Sequence, residues 1–198
     1  ITVHLREDRR HINDHDLKLL CQKNFLINME MAANFEMMKI AIRNNPKFVC
    51  LVPEKRNEIT TEGGLNLKKN YRLIKKIVST LNKKKIRTSL FIDPTISNLI
   101  LTKKIGAKCV ELHTGKLSRF IKNKKKFVKE LDKINKCSYF AKKNNIELHA
   151  GHGLDYKTTK ILSKNSYITE YNIGHFIIGE SIKIGISKVI KNFKKILR

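Results

Sequence analysis

Ile1-Thr-Val-His-Leu-Arg-Glu-Asp-Arg-Arg-His11 reads as a short strand that runs directly into a cluster of charge. The two-residue period of a strand puts Thr2, His4 and Arg6 on one face and Ile1, Val3 and Leu5 on the other. One apolar face and one face of His and Arg suit a strand packed outside against helices and lined inside by polar groups. Asp8, Arg9, Arg10 and His11 follow where the strand stops, the arrangement expected at the edge of an active site.

Outward from this stretch the chain repeats the same unit. Strand-like runs cover Ile1–Leu5, Phe25–Glu30, Phe48–Val52, Arg87–Ile92, Cys109–His113, Ile146–Ala150 and Ile168–Ile173. Amphipathic helical patterns lie between them, at Asp14–Gln22, Met31–Arg43, Leu67–Leu81, Ile96–Lys104, Lys126–Asn144 and Tyr156–Lys164, with a last helix at about Ile182–Leu197. Caps are expected at Asp14, at Asp155 and at Thr95 or Ser97, and Gly106 is a helix stop. Strand–helix alternation implies an α/β fold with a parallel sheet and right-handed crossovers. A doubly wound open sheet would satisfy the pattern, but the even spacing and the polar or glycine residue ending each strand favour a (β/α)8 TIM barrel. Seven units are present. A chain that opens inside a strand is expected to lack the first strand–helix unit, through N-terminal truncation, so residues 1–198 are read as one partial barrel domain. No linker or low-complexity stretch divides it, and the one long loop is Pro53–Gly64, of a length that is often functional.

The formal charge of +25 suggests a polyanion partner. Its composition argues otherwise, because only nine of the 42 basic residues are Arg while Lys, Ile and Asn, all with A/T-rich codons, abound. The runs Lys83–Lys85 and Lys124–Lys126 lack the interleaved aromatics that stack bases, so they read as solvated helix faces and no nucleic-acid partner is expected. No apolar run approaches the roughly 18–20 residues of a membrane span, and no signal-peptide pattern is present, so no membrane association is expected. Cys21, Cys50, Cys109 and Cys137 are widely spaced, with no metal or redox motif, and fit a reducing cytoplasm.

Barrel chemistry sits at the C-terminal strand ends and the loops beyond them. Here those ends carry His4 and Arg6; Asn28 and Glu30; Glu54, Lys55 and Arg56; Asp93; Glu111 and His113; Gly151–Gly153; and Asn172, Gly174 and His175. A lone histidine at a strand end is commonly a hydrogen-bonded structural residue. Five of the seven (His4, His113, His149, His152, His175) gather at such ends, however, and with carboxylates they supply proton donors and acceptors near neutral pH. His15 falls on an exposed helix face. Two segments suit phosphate: Glu54–Gly64, with its basic side chains, Thr hydroxyls and Gly-Gly pair, and Asn172–His175, where barrels hold phosphate on loop and helix amides. Neither is a P-loop, and no G-x-G-x-x-G follows a strand.

Ile1–Ile12, Asn28-Met-Glu-Met31, Cys50-Leu-Val-Pro-Glu-Lys-Arg56, Thr60-Thr-Glu-Gly-Gly64, Ser89–Asp93, Glu111-Leu-His-Thr-Gly115, Ala150-Gly-His-Gly-Leu154 and Asn172-Ile-Gly-His175 closely resemble, in order, the pyridoxine 5'-phosphate synthase family. The resemblance implies a (β/α)8 barrel of vitamin B6 biosynthesis. The family condenses 3-amino-2-oxopropyl phosphate with 1-deoxy-D-xylulose 5-phosphate to give pyridoxine 5'-phosphate, phosphate and water. It implies His4 and Glu30 as proton acceptors, His152 as proton donor and Glu111 as a carboxylate that stabilises the transition state. Arg6, His11 and Thr60 resemble contacts to the deoxyxylulose phosphate, and Gly153, Gly174 and His175 those to the aminoacetone phosphate. The substrate amine attacks the partner ketone itself, so no enzyme lysine is needed. Lys108, the one lysine beside a strand, lies at the wrong end.

No metal or other cofactor is implied, and the family's closed oligomers suggest an octamer. Two departures stand out: the family's first strand and helix, with an Asn, an Asp-His pair and a phosphate-binding Arg, are absent, and His149 replaces a usual Asn. The rival readings are a metal-dependent barrel hydrolase built on His4, Glu30, His113, His152 and His175, and a basic nucleic-acid-binding protein.

Overall fold

The computed structural model describes residues 1–23, 25–54 and 63–198. Its strands are β1 (Thr2–His4), β2 (Asn28–Ala32), β3 (Phe48–Val52), β4 (Arg87–Ile92), β5 (Cys109–His113), β6 (Glu147–Gly151) and β7 (Ile168–Asn172). Among the described residues these form one sheet in which neighbours follow sequence order, β1 to β7. The helices are α1 (Asp14–Gln22), α2 (Phe35–Asn44), α3 (Tyr71–Lys83), α4 (Ile96–Ile105), α5 (Gly115–Lys122), α6 (Val128–Lys143), α7 (Tyr156–Leu162), α8 (His175–Ile184) and α9 (Ile186–Ile196). Each strand is followed by at least one helix, the α/β alternation that the sequence pattern predicts.

The chain divides into two compact units, one of residues 1–93 and 97–111, the other of residues 94–96 and 112–198. In the first, β1, β2, β3 and β4 pair in parallel. Register sets the two faces of this sheet. Met29 lies beside Val49 and Val49 beside Thr88, while Met31 lies beside Leu51 and Leu51 beside Leu90, and all six are wholly buried. The opposite face carries the row His4, Glu30, Cys50 and Ser89, each opposite the next. Helix α3 shows how the sequence packs: Ile74, Ile77, Val78 and Leu81 recur at helical spacing and are completely buried. Each such side chain contributes about 1.5–3 kcal/mol by leaving water.

The second unit pairs β6 with β7 in parallel, with an irregular register between Leu148 and His149. Tyr156 of α7, Phe176 of α8 and Phe193 of α9 pack as a three-ring cluster, centroids 4.7–5.8 Å apart. Val189 and Phe193 supply the buried stripe of α9.

Several boundaries differ from the sequence reading, each for a local reason. The expected strand at Phe25–Glu30 begins at Asn28 and extends to Ala32, because Phe25 and Leu26 are exposed rather than sheet residues. The cap of α1 is Asn13, not Asp14. Asn13 Oδ1 accepts from the amides of His15 and Asp16 while its own amide donates to Asp16, a reciprocal capping box. Asp155 caps α7 as expected, accepting from the Thr158 amide at 2.7 Å. Helix α5 was not anticipated, and the expected final helix is two, broken at Gly185 with φ +78°. Gly106, at φ +90°, ends α4 as the pattern requires. The runs Lys83–Lys85 and Lys124–Lys126 are exposed. Cys50, Cys109 and Cys137 are buried, and all four cysteines are free thiols. No helix among the described residues is long and apolar enough to cross a membrane.

Candidate active site

In the first unit the polar row of the sheet ends in a cluster of charge. His4, the last residue of β1, lies between two carboxylates: Nδ1 is 3.6 Å from Glu30 Oε2 and Nε2 is 3.3 Å from Glu54 Oε2. The Glu54 side chain is 2% exposed. Its other oxygen accepts from the Glu7 amide at 2.9 Å and lies 3.6 Å from Arg6 Nε, so one buried carboxylate ties three positions of the opening stretch together. Burial lowers the His4 pKa, with Arg6 and His11 pushing the same way, against an upward pull from Glu54. Burial pushes the Glu30 carboxyl up to about 7. Glu30, raised to about 7, lies within 4 Å of the His4 ring, and a carboxyl titrating near neutrality beside an imidazole can exchange protons with a bound molecule at little cost.

Glu111 of β5 is 3% exposed and accepts from Cys50 Sγ at 3.8 Å. Burial raises the Cys50 thiol well above its ordinary range, with Glu111 and Glu30 adding to the effect, so the thiol stays protonated and remains a donor. Of the opening charges, Arg6 is buried and His11 exposed. Arg9, at φ +54°, is a structural tie: it donates to Asp14 of α1, to Glu36 of α2 and to the Glu7 carbonyl. Arg10 hydrogen-bonds Asp8 and holds that carboxyl down at about 2.

Of the expected phosphate loop, Thr60 and its neighbours from 55 to 62 lie outside the described residues. Gly64 is explained by packing. A Cβ there would overlap the backbone of Ile92 and Asp93, and its amide donates to Asp93 Oδ1 at 3.2 Å, so that amide is committed within the fold.

In the second unit, β6 ends at Gly151 and the chain turns through two consecutive left-handed residues, His152 (φ +72°) and Gly153 (φ +75°). The His152 ring stacks on His113, centroids 4.7 Å apart. Burial lowers the His152 pKa, and His175 and Arg119 add to it. Gly174 precedes α8 and gives it no side-chain cap, so the first-turn amides of α8 are presented next to exposed His175. A Cβ on Gly174 would meet nothing within 4 Å, so packing does not require glycine there.

His149 is 1% exposed in β6, with Nε2 3.1 Å from Glu147 and Nδ1 3.7 Å from Glu170 of β7. That carboxylate cage keeps it a strand residue, behind the turn that carries His152. His15 is exposed, as its helix face suggested. Among the described residues no three His, Cys, Asp or Glu side chains are placed to hold a metal ion.

The structure therefore joins His4, Arg6, Glu30 and Glu111 to Glu54, which the sequence placed at a strand end and in a phosphate segment without a role beside His4, and to Cys50, which it did not single out. The signal was available: Cys50, Val52 and Glu54 continue one strand face past the strand end. His113 was recognised as a strand-end residue, but not as the partner of His152.

The model of the family described as "Pyridoxal phosphate biosynthesis protein PdxJ" matches residues 1–198. The chain is 57% identical over 197 residues to pyridoxine 5'-phosphate synthase of Pelagibacter ubique (strain HTCC1062), covering 99% of this chain and 82% of that protein. It is 45% identical over 199 residues to the synthase of Blochmanniella floridana, covering 100% of this chain and 80% of that one. Among solved structures, KGPDC from Streptococcus mutans superposes with a TM-score of 0.66 at 12% identity, over 100% of this chain and 83% of that chain, a likeness of fold alone. A family match along the whole chain, with relatives of this identity, shows that the chain belongs to the pyridoxine 5'-phosphate synthase (PdxJ) family of pyridoxal phosphate biosynthesis.

Proposed function

We propose that the protein condenses 3-amino-2-oxopropyl phosphate with 1-deoxy-D-xylulose 5-phosphate to form pyridoxine 5'-phosphate, phosphate and water. The observation that carries the reading is the pairing of His4 with Glu30, an imidazole beside a carboxyl that burial raises to about 7, on adjacent strands of a chain in this family. The substrate amine adds to the partner ketone, and loss of water gives an imine joining the two substrates. What remains is proton movement, phosphate loss and ring closure with release of a second water, which need acid–base groups held around anchored substrates.

In this reading His4 and Glu30 accept protons. Glu30, with a pKa of about 7, is ionised in a useful fraction near neutral pH while keeping the basicity that a weaker carboxylate lacks. Glu54 and Arg6 hold the His4 ring and balance its charge. Glu111, kept buried beside a protonated thiol, stabilises positive charge that develops on the condensing nitrogen. Arg6, His11 and Thr60 bind the deoxyxylulose phosphate. In the second unit His152 donates a proton, and Gly153, Gly174 and His175 bind the aminoacetone phosphate, supported by the uncapped first turn of α8. No metal or organic cofactor takes part.

The seven strand–helix units are proposed to be those of a (β/α)8 barrel, supported by the likeness to solved structures such as KGPDC. A homo-octameric, cytoplasmic enzyme is the corresponding biological form. Mixing purified protein with both substrates and following pyridoxine 5'-phosphate and released phosphate tests the reading. Equimolar release that survives a strong chelator is expected. Absence of product, or a stoichiometric metal requirement, overturns it.

A further inference from the structure

We propose that His113 and Thr114, at the end of β5, are positioning residues that hold the His152 imidazole in its working orientation. The inference rests on the reading of His152 as the proton donor. It comes from how the turn bearing His152 is held. A non-glycine residue at φ +72° followed by another left-handed residue is an unfavourable backbone that the surroundings must fix.

Three contacts from one short segment fix it. The Thr114 amide donates to the Gly151 carbonyl at 2.9 Å. The Thr114 hydroxyl lies 2.8 Å from the Gly151 carbonyl and 2.8 Å from that of His152, so its single proton is shared between the carbonyls on either side of the His152 Cα. The His113 ring, 9% exposed, then stacks on the His152 ring with the planes 30° apart. Gly115 completes the cradle. A Cβ there would stand 2.6 Å from His152 Cδ2 and 3.1 Å from two atoms of the His113 ring, so both rings keep their places only because that side chain is missing. Gly153 in turn packs closely on Gly115, where an added Cβ would be crowded at 3.2 Å from Gly115 Cα and 3.3 Å from Ser118 Cβ.

These contacts act on the carbonyl and ring of His152 itself, so they set where its N–H points and how much water reaches it. The charged and titratable groups that face the ring are His113 of β5, Arg119 of α5 and His175 of α8. Removing the His113 ring admits water and lets the His152 pKa climb back toward its ordinary value of 6.5.

The test compares Thr114→Val with Thr114→Ser, and His113→Leu with His113→Phe, with His152→Ala as reference, each checked for folding by circular dichroism. Thr114→Val should lower kcat roughly 10- to 100-fold with KM changed less than about threefold, the mark of lost orientation rather than lost binding. Thr114→Ser should recover most of that loss. His113→Leu should lower kcat and move the His152 limb of the pH profile upward, while His113→Phe keeps the stack and moves it little. If Thr114→Val fails to fold, the His113 pair decides. Folded Thr114→Val and His113→Leu proteins with unchanged kcat and pH profile, beside an inactive His152→Ala, overturn the positioning role and leave the donor reading standing. Normal turnover in His152→Ala overturns both.

Discussion

The two strand-end clusters hold their histidines by opposite means. His4 sits in a regular strand and is held through side chains, by a web of charge running from Glu30 through Glu54 to Arg6. His152 sits on an irregular turn and is held through its backbone, by one hydroxyl, one stacked ring and a missing Cβ. A charge web tunes proton affinity as well as position, because each partner shifts the pKa of the others. A backbone clamp fixes direction and leaves the proton affinity to burial and to neighbouring His175 and Arg119. That division suits the acceptor role proposed for the first cluster and the donor role proposed for the second.

The largest expected effect is at the proposed donor. His152→Ala should lower turnover by about 10²–10⁴-fold, the usual contribution of a positioned general acid, measured as pyridoxine 5'-phosphate formed per unit time. Next is the carboxylate on which the charge web turns. Glu54→Ala leaves His4, the Glu7 amide and buried Arg6 without a shared acceptor, and should destabilise the fold by about 3–5 kcal/mol in urea denaturation. Gly115→Ala tests the clamp in the same spirit: it should cut kcat roughly tenfold by displacing the His152 ring, with a smaller change in stability.

The pH response separates the two regions further. The folded pKa of Glu30, about 7, lies above its ordinary 4.5, so the folded state binds more protons than the unfolded chain between those values. Its contribution to stability is full below pH 4.5 and declines until about pH 7. Glu30→Gln should flatten that part of the stability–pH curve, whereas His152→Gln should leave it in place. The smallest effect belongs to neither cluster. Replacing exposed Lys83, Lys84 and Lys85 with Gln should leave turnover unchanged and shift stability by about 0.5 kcal/mol or less per site.

The contrast also explains what the sequence disclosed. Period-two and helical spacing depend on burial, so β3, β4, β5 and α1 were legible to the residue. Phe25 and Leu26 misled because they are apolar yet exposed, and α5 was missed between two strong neighbours. The charge web was partly legible, since His4, Arg6 and Glu30 lie at strand ends. Glu54 was visible at a strand end, but in a segment whose Lys, Thr and Gly pointed to phosphate rather than to His4. The clamp was least legible, because a left-handed histidine and a glycine required by a neighbouring ring leave no periodic trace. Thr114 and Gly115 entered only as part of the block Glu111-Leu-His-Thr-Gly115, with nothing there to show what they hold.

The central claim is that proton transfer runs through these strand-end groups, and the most direct measurement is single-turnover product formation by Glu30→Gln. This change keeps size and polarity while removing the proposed base, whose proton affinity burial has raised to the neutral range. A folded Glu30→Gln protein that binds both substrates yet forms pyridoxine 5'-phosphate at least about 100-fold more slowly is the predicted result. Product formation at near the unaltered rate would contradict it.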